Sequence, residues 1–339
     1  MENFYSSSFN LSTSLNGKKL KIFTWHIHGS YLFYLSKGNY DIYIPVKDIK
    51  EDGFWGRGET FPFGENVHEV HVDDLKYLEF DVILFQSPRN YLTDQFDILT
   101  EDQRRLPKIY LEHDPPLEGP TETRHVVDDQ NILLVHVTHY NKIMWNNNRT
   151  PAKVIDHGVV VPAKKYTGEK ERGIVVINNI HKRGRRLGLD VFREVEKRVP
   201  VDLIGMGSEG FGLGEVKHPD LPEFISKYRF FFNPIRYTSL GLSVIEAMML
   251  GIPVVGLATT ELPTVIRDGV SGFVHTNVEY LVRKMQLLLD DRELAVSLGR
   301  EGQRSVNERF NISRFVNDWE VTFNEVVQRL PSSSLSETL

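Results

Sequence analysis

YRFFFNPIRYTSLGLSVIEAMMLGIPVVGLATTELPTVIRDGVSGFV, residues 228–274, decides how this chain folds. It opens with Phe230, Phe231 and Phe232, a short continuous apolar run of the kind shown by a strand buried on both faces. A loop is expected at 234–238. The next segment runs to Gly251, the residue type that most readily takes the left-handed turn closing a helix. A helix is therefore expected over 239–250, with Thr238 or Ser239 as its N-cap. Residues 253–257 (PVVGL) read as the following strand. Strand, loop, helix and strand form one unit of a parallel α/β sheet.

The same alternation extends in both directions. Toward the N-terminus, 20–26 (LKIFTWH), 40–44, 81–86 (DVILFQ), 108–112 (KIYLE), 132–137 (ILLVHV) and 153–156 (KVID) read as strands, with a turn at His28-Gly29-Ser30 and a helix over 31–36. The pattern restarts at 173–180 (GIVVINNI), with a helix over 187–198 and a strand at 201–204. Helical stretches are expected near 279–289, 293–309 and 312–330. A restart midway predicts two doubly wound α/β domains, with ligands in the cleft at the carboxyl ends of their strands. The expected boundaries are 17–157 and 158–311. Residues 1–16, rich in Ser and Asn, and 331–339 (PSSSLSETL) read as disordered.

Composition narrows the function classes. Of 339 residues, 40% are hydrophobic and 25% charged, a balance suited to soluble globular domains. No apolar run reaches the roughly 20 residues needed to cross a bilayer, and the first residues lack the basic and apolar regions of a signal peptide. Cysteine is absent, which excludes disulfide and thiolate chemistry and fits a cytoplasmic location; attachment to a membrane surface stays open. Residues 1–157 carry 16 Lys and Arg against 23 Asp and Glu, and residues 158–339 carry 24 against 23. Neither half has the basic surface expected for nucleic acid. One tight cluster, Lys182, Arg183, Arg185 and Arg186, suits a small anion instead.

The helix expected after residue 238 offers that anion a second partner. Main-chain N–H groups at Ser239, Leu240, Gly241 and Leu242 would be unpaired at its positive end, and Gly241 would let a ligand approach closely. Glu246 lies about two turns further on the same face. Its carboxylate can accept hydrogen bonds from two adjacent hydroxyls, as on a ribose. Arginines 183 and 186 offer always-charged donors to a diphosphate leaving group, or form a solvated basic loop.

The segment resembles the donor-binding core of the retaining GT-B glycosyltransferases of family 4, glycosyl transferases group 1. Their pattern, Glu-x-x-Gly-Leu-x-x-x-Glu-Ala-Met-x-x-Gly-x-Pro-Val-Val, appears here as Thr238-x-x-Gly241-Leu242-x-x-x-Glu246-Ala247-Met248-x-x-Gly251-x-Pro253-Val254-Val255. Glu261-Leu262-Pro263 and Asp268-Gly269-x-x-Gly272-Phe273 also match. The resemblance is densest over 228–275 and weaker over most of 18–330. It implies a GT-B fold of two Rossmann-like domains, with 312–330 as a helix packing back on the first domain through Trp319 and Phe323. Glu246 then holds the ribose of a nucleotide-diphosphate sugar. Thr238 replaces the glutamate that lies near the transferred sugar in the family, which puts the identity of the donor sugar and the rate of turnover in question. Arg183-Gly184 matches the family's basic loop best, with Arg186 second. Gly29 matches the glycine loop facing the diphosphate and acceptor, with Ser30 at the usual second glycine. His113 matches the cleft histidine near the donor sugar, against the alternative of a histidine satisfied within its loop.

Two other patterns point elsewhere and are set aside. Residues 205–210 fit G-x-G-x-x-G after a strand, but Pro219 and Pro222 follow instead of an immediate helix, so a dinucleotide fold is not expected. A base is expected near 217–221. His26, His28, His136 and His139 lack the carboxylate that would accompany them in a convincing zinc site. The chain contains no Asp-x-Asp, the motif by which metal-dependent transferases hold a divalent ion. With the family resemblance, the function this implies is metal-independent, cofactor-free transfer, of a hexose above all, from a UDP- or GDP-sugar by front-face attack. The acceptor would be a glycan, lipid-linked sugar or small molecule. The alternative is a catalytically impaired nucleotide-sugar-binding or scaffold protein of the same fold.

Overall fold

A computed structural model describes residues 19–328. The expectations for 1–16 and 331–339, and the last two residues of the 312–330 helix, lie outside the described residues.

The first half runs β1 (Lys21–Thr24), α1 (Gly29–Leu35), β2 (Asp41–Val46), β3 (Val67–His71), β4 (Val82–Phe85), α2 (Gln95–Ile98), β5 (Lys108–Glu112), β6 (Ile132–His136), α3 (His139–Met144) and β7 (Ala152–Val154). Its strands form one parallel sheet in the order β3-β2-β1-β4-β5-β6-β7. The second half runs β8 (Lys170–Val176), α4 (Ile180–Arg183), α5 (Leu189–Val195), β9 (Val201–Ile204), α6 (Leu221–Ile225), β10 (Tyr228–Asn233), α7 (Leu242–Leu250), β11 (Val254–Leu257), α8 (Leu262–Val265) and β12 (Phe273–His275). Its parallel sheet is ordered β12-β11-β10-β8-β9. Helices α9 (Val278–Asp290), α10 (Arg292–Arg309) and α11 (Ile312–Gln328) complete the chain. Strand order reverses between β1 and β4 in one sheet and between β8 and β10 in the other. The loops at such reversals open into a crevice that can receive a ligand.

Three departures from the sequence expectations have local causes. Strand β3 was not expected. It is an edge strand in which only Val67 is fully buried, so VHEVH lacks the apolar run of the interior strands. Helix α5 is shorter than 187–198 and begins after Gly188, which takes φ +78°; a Cβ there would lie 2.0 Å from the Pro234 carbonyl oxygen. Helix α7 starts at Leu242, not at 239, and its N-cap is Gly241 in an extended conformation with no side-chain cap. Neither Thr238 nor Ser239 caps it. The carbonyls that would begin the helix earlier are taken up by other partners: Ser239 accepts from the Thr260 hydroxyl at 3.2 Å and Leu240 accepts from His157 Nε2 at 3.0 Å.

Helix α11 lies against the first sheet's side of the molecule. Phe315, Trp319 and Phe323 are fully buried. Trp319 Nε1 donates to the Tyr31 hydroxyl at 3.1 Å, Phe323 meets Tyr40 edge-on at 5.1 Å between ring centres, and Lys153 Nζ donates to the Thr322 hydroxyl at 2.9 Å. Truncating a buried tryptophan of this kind costs about 3–5 kcal/mol, so this return crossing contributes substantially to holding the halves together. Arg309 ties the crossing point by pairing with Asp156 at 2.8 Å and with buried Glu261 at 2.9 Å. Glu261 also accepts from the Tyr140 main-chain N–H at 2.9 Å. Among the described residues, no helix is long and apolar enough to cross a membrane.

Candidate functional site

A cleft of about 590 Å³ lies where the carboxyl ends of the two sheets face each other. From the first half, Ile27, His28, Gly29, Ser30 and Tyr31 enter it after β1, and His113 and Asp114 enter after β5. From the second half, Asn178, Asn179 and Arg183 enter after β8, Gly205 and Met206 after β9, and residues 238–243 after β10. Glu246 projects from α7. Of the residues singled out in the sequence, the cleft therefore gathers His113, Arg183, Gly29, Ser30, Thr238, Ser239, Leu240, Gly241, Leu242 and Glu246. Arg186 is not among its lining residues.

The N-terminal end of α7 is rich in unused donors. Among the described residues, the main-chain N–H groups of 238–243 meet no acceptor, whereas those of Arg236 and Tyr237 both bond the Arg186 carbonyl at 3.1 Å. The loop is thus pinned on one side, and residues 238–243, with their N–H groups unpaired, line the cleft. A Cβ added at Gly241 would meet nothing closer than 3.7 Å. Its glycine is not demanded by packing and leaves room beside the donors.

Arg183 lines the same cleft as this end of α7. Burial first, and then its neighbour Arg186, pull its guanidinium below the ordinary value, while Asp114 opposes the shift. A half-buried cation repelled by a second cation gains from an anion placed beside it. Arg186 holds the turn through its carbonyl, and its Nη1 is buried with no hydrogen-bond partner. Lys182 and Arg185 are exposed.

Glu246 is 8% exposed. Its Oε1 accepts from the Tyr34 hydroxyl at 2.8 Å and faces His218 Nε2 at 3.2 Å. Tyr34 comes from α1, so this contact crosses the cleft. The second oxygen, Oε2, has no partner among the described residues. His218 and Leu221 line the cleft, as expected for part of the 217–221 loop, and Lys217 does not. The Phe61 ring packs on His218 at 4.9 Å, and a Cβ at Gly29 would meet Phe61 at 2.3 Å.

His113 lines the cleft directly after β5. Its ring centre is 3.9 Å from that of His28, and its Nε2 lies 3.1 Å from Gln86 Oε1. Burial, with like-charge opposition from His28 and His157, holds it well below the usual imidazole range. His28 is lowered chiefly by burial, against the pull of Asp114. His157 is fully buried and lowered to about 4, its Nε2–H donating to the Leu240 carbonyl. Near neutral pH, His28, His113 and His157 are thus uncharged imidazoles.

The four histidines weighed as a zinc site face different partners. His26 bonds the Gly56 carbonyl, His28 stacks on His113, and His136 bonds Asn147 at 2.7 Å. Among the described residues, no group of three or more His, Cys, Asp or Glu could hold a metal ion. His136 and His139 are not in the cleft lining. The Gly-x-Gly loop bends through positive φ at Gly205 and Gly207, and the next helix, α6, starts only at Leu221.

Sequence reasoning missed Tyr34, Gln86, Asp114, Asn179 and His157. None sits in a local motif, and all but Asn179 reach the site or its wall from the first half. Asn179 carries a local signal only in retrospect: it takes φ +52° at the start of α4, a conformation Asn tolerates better than most residues.

Comparison with known proteins places these features in a family. A family model described as "Glycosyl transferases group 1" matches residues 205–305. The trehalose synthase of Thermococcus litoralis is 34% identical over 294 residues, covering 73% of this chain and 70% of that protein. N-acetyl-alpha-D-glucosaminyl L-malate synthase of Bacillus anthracis is 31% identical over 93 residues, and there the match spans only 24% of the relative's length. Among solved structures, Anabaena HepE in complex with UDP and glucose superposes with a TM-score of 0.67 at 14% identity, over 90% of this chain and 99% of that one. The fold is the GT-B fold.

Proposed function

Because the chain belongs to the glycosyl transferases group 1 family of sugar-transferring enzymes, we propose that it moves a sugar from a nucleotide-diphosphate sugar to an acceptor hydroxyl with retention at the anomeric carbon. The observation that carries this is the run of unpaired N–H groups at 238–243, opening the helix that bears Glu246 and facing Arg183 across one cleft. The diphosphate rests on those donors and on Arg183, and the free Oε2 of Glu246 accepts from the ribose hydroxyls. UDP is the favoured nucleotide, because the structural neighbour HepE holds UDP and glucose; GDP is the rival.

In the transfer step the acceptor oxygen bonds to the anomeric carbon as the bond from that carbon to the phosphate oxygen breaks. The departing phosphate oxygen takes the acceptor's proton, and the nucleoside diphosphate leaves. The N–H groups and Arg183 stabilise the charge that grows on it, more strongly once bound substrates displace water from the cleft. With these donors in place, and no Asp-x-Asp in the chain, transfer needs no metal ion. The acceptor enters from the side of Gly29 and Ser30.

Titration calorimetry with UDP, GDP and ADP, followed by transfer assays with and without a chelator, tests this. Glu246→Ala is expected to weaken the preferred nucleotide about 10- to 100-fold, the effect of losing hydrogen bonds to a charged partner. Unchanged affinity in that variant would remove the ribose assignment. Thr238 in the cleft favours one second reading, a donor-binding protein with impaired turnover. Nucleotide-sugar binding without nucleoside diphosphate release under any acceptor would establish it.

A further inference from the structure

We infer that Gln86 fixes the tautomer of His113, so that the imidazole meets the donor sugar through a bare Nδ1 and accepts a hydrogen bond from a sugar hydroxyl. The sugar's place beside His113 rests on the function proposed above; the tautomer does not.

The inference follows from the direction of each hydrogen bond. Gln86 follows β4 directly and is buried. One side of its amide lies 2.8 Å from the Trp25 carbonyl and 2.9 Å from the Thr24 hydroxyl oxygen. A carbonyl can only accept, so the amide group on this side is the NH₂. The Thr24 hydroxyl spends its own proton on the Leu84 carbonyl at 2.8 Å, so toward Gln86 it too can only accept. Flipping the amide would set its oxygen against two acceptors. Its oxygen therefore points the other way, to His113 Nε2 at 3.1 Å, and an amide oxygen can only accept. The proton must sit on Nε2. Burial and the neighbouring His28 and His157 keep the ring uncharged, which leaves Nδ1 without a proton. Among the described residues Nδ1 has no partner, and His113 lines the cleft.

This assigns the chemistry of the donor at that point. A hydroxyl can donate to Nδ1, whereas a carboxylate would face a lone pair, so the site selects a sugar with a hydroxyl there over a uronic acid. Gln86 is the positioning residue, anchored to β1 through Thr24 and Trp25 and acting through the ring.

Side-chain ¹⁵N NMR of the ligand-free protein near neutral pH reads the tautomer directly. The expected spectrum shows His113 neutral with the proton on Nε2. Gln86→Leu is expected to give a mixture of tautomers and lower kcat about tenfold, the effect of one misdirected hydrogen bond, with nucleoside diphosphate affinity held within about twofold. A wild-type ring protonated on Nδ1, or a tautomer indifferent to Gln86→Leu, overturns the assignment. A shifted tautomer with unchanged kcat overturns the contact to the sugar. Failure of nucleotide to bind the wild-type protein would instead count against the donor site as a whole, and leaves the NMR result intact.

Discussion

The Tyr34 hydroxyl donates to the Glu246 carboxylate at 2.8 Å, joining helix α1 of the first half to helix α7 of the second across the cleft. Together with His218 it occupies Oε1 and leaves Oε2 for a ligand. His218 and Glu246 line both the main cleft and a neighbouring, mostly apolar cavity of about 400 Å³, and Tyr34 lines that second cavity. The Tyr34 phenol is buried beside that carboxylate, and both burial and the negative charge keep its proton in place. The same hydrogen bond thus links the two halves and orients the carboxylate. Tyr34→Phe is expected to weaken nucleotide binding about three- to tenfold, the loss of one hydrogen bond to a charged group, and to narrow the preference for a ribonucleotide over its 2′-deoxy analogue. Titration calorimetry with the two nucleotides checks both.

Arg183 lines the cleft, half-buried and repelled by Arg186, and the proposed function sets it beside the diphosphate. Its charge is best used when negative charge builds up on the leaving group. Arg183→Ala is expected to lower kcat about 100-fold or more, and to leave affinity for the nucleoside without phosphates unchanged. Arg183→Lys should recover only part of the rate, because a single ammonium replaces a fork of donors. Steady-state rates beside nucleoside binding separate these effects.

Asp114 follows His113 in the chain and lines the cleft with it. Front-face transfer needs no covalent sugar–enzyme intermediate, and gives Asp114 an electrostatic part beside His28 and Arg183. Asp114→Asn should slow transfer by about tenfold, of the order expected for one charge near the site. Mass spectrometry of the wild-type enzyme quenched during turnover should show no glycosylated Asp114. Loss of all activity together with an adduct on Asp114 would replace the front-face step with a double displacement.

Three buried histidines are expected to lower stability on the acid side. His113 lies well below the ordinary imidazole value, and His136 and His157 are each lowered to about 4, mainly by burial. The unfolded chain takes up protons near 6.5 while the folded chain resists them, so stability is full above that value and falls as the pH drops below it. Between pH 8 and pH 5 the loss for His136 and for His157 is on the order of 2 kcal/mol each. Chemical denaturation at the two values checks this, and His136→Asn should flatten the dependence.

Much of this architecture could be read in the sequence because the interior strands of both sheets are short apolar runs and each is bounded by a loop. Residues 108–112 and 201–204 are strands at the expected residues. Edge strand β3 escaped because an edge does not need the apolar run. The start of α7 was placed three residues early because Thr238 and Ser239 are good capping residues by type, while His157 and Thr260, remote in sequence, accept the role of satisfying that loop. The glycines, Arg183, His113 and Glu246 stood out through motif spacing within single loops or helices. Tyr34 lies 212 residues from Glu246 and Gln86 lies 27 from His113, so no local pattern could pair them.

A crystal structure with bound UDP or GDP is the most direct measurement of where the nucleotide lies. The account predicts the two phosphates within hydrogen-bond distance of main-chain N–H groups in 238–243 and of Arg183, with the ribose hydroxyls on Glu246. A nucleotide bound with its phosphates away from the start of α7, or with Glu246 still held only by Tyr34 and His218, would contradict it.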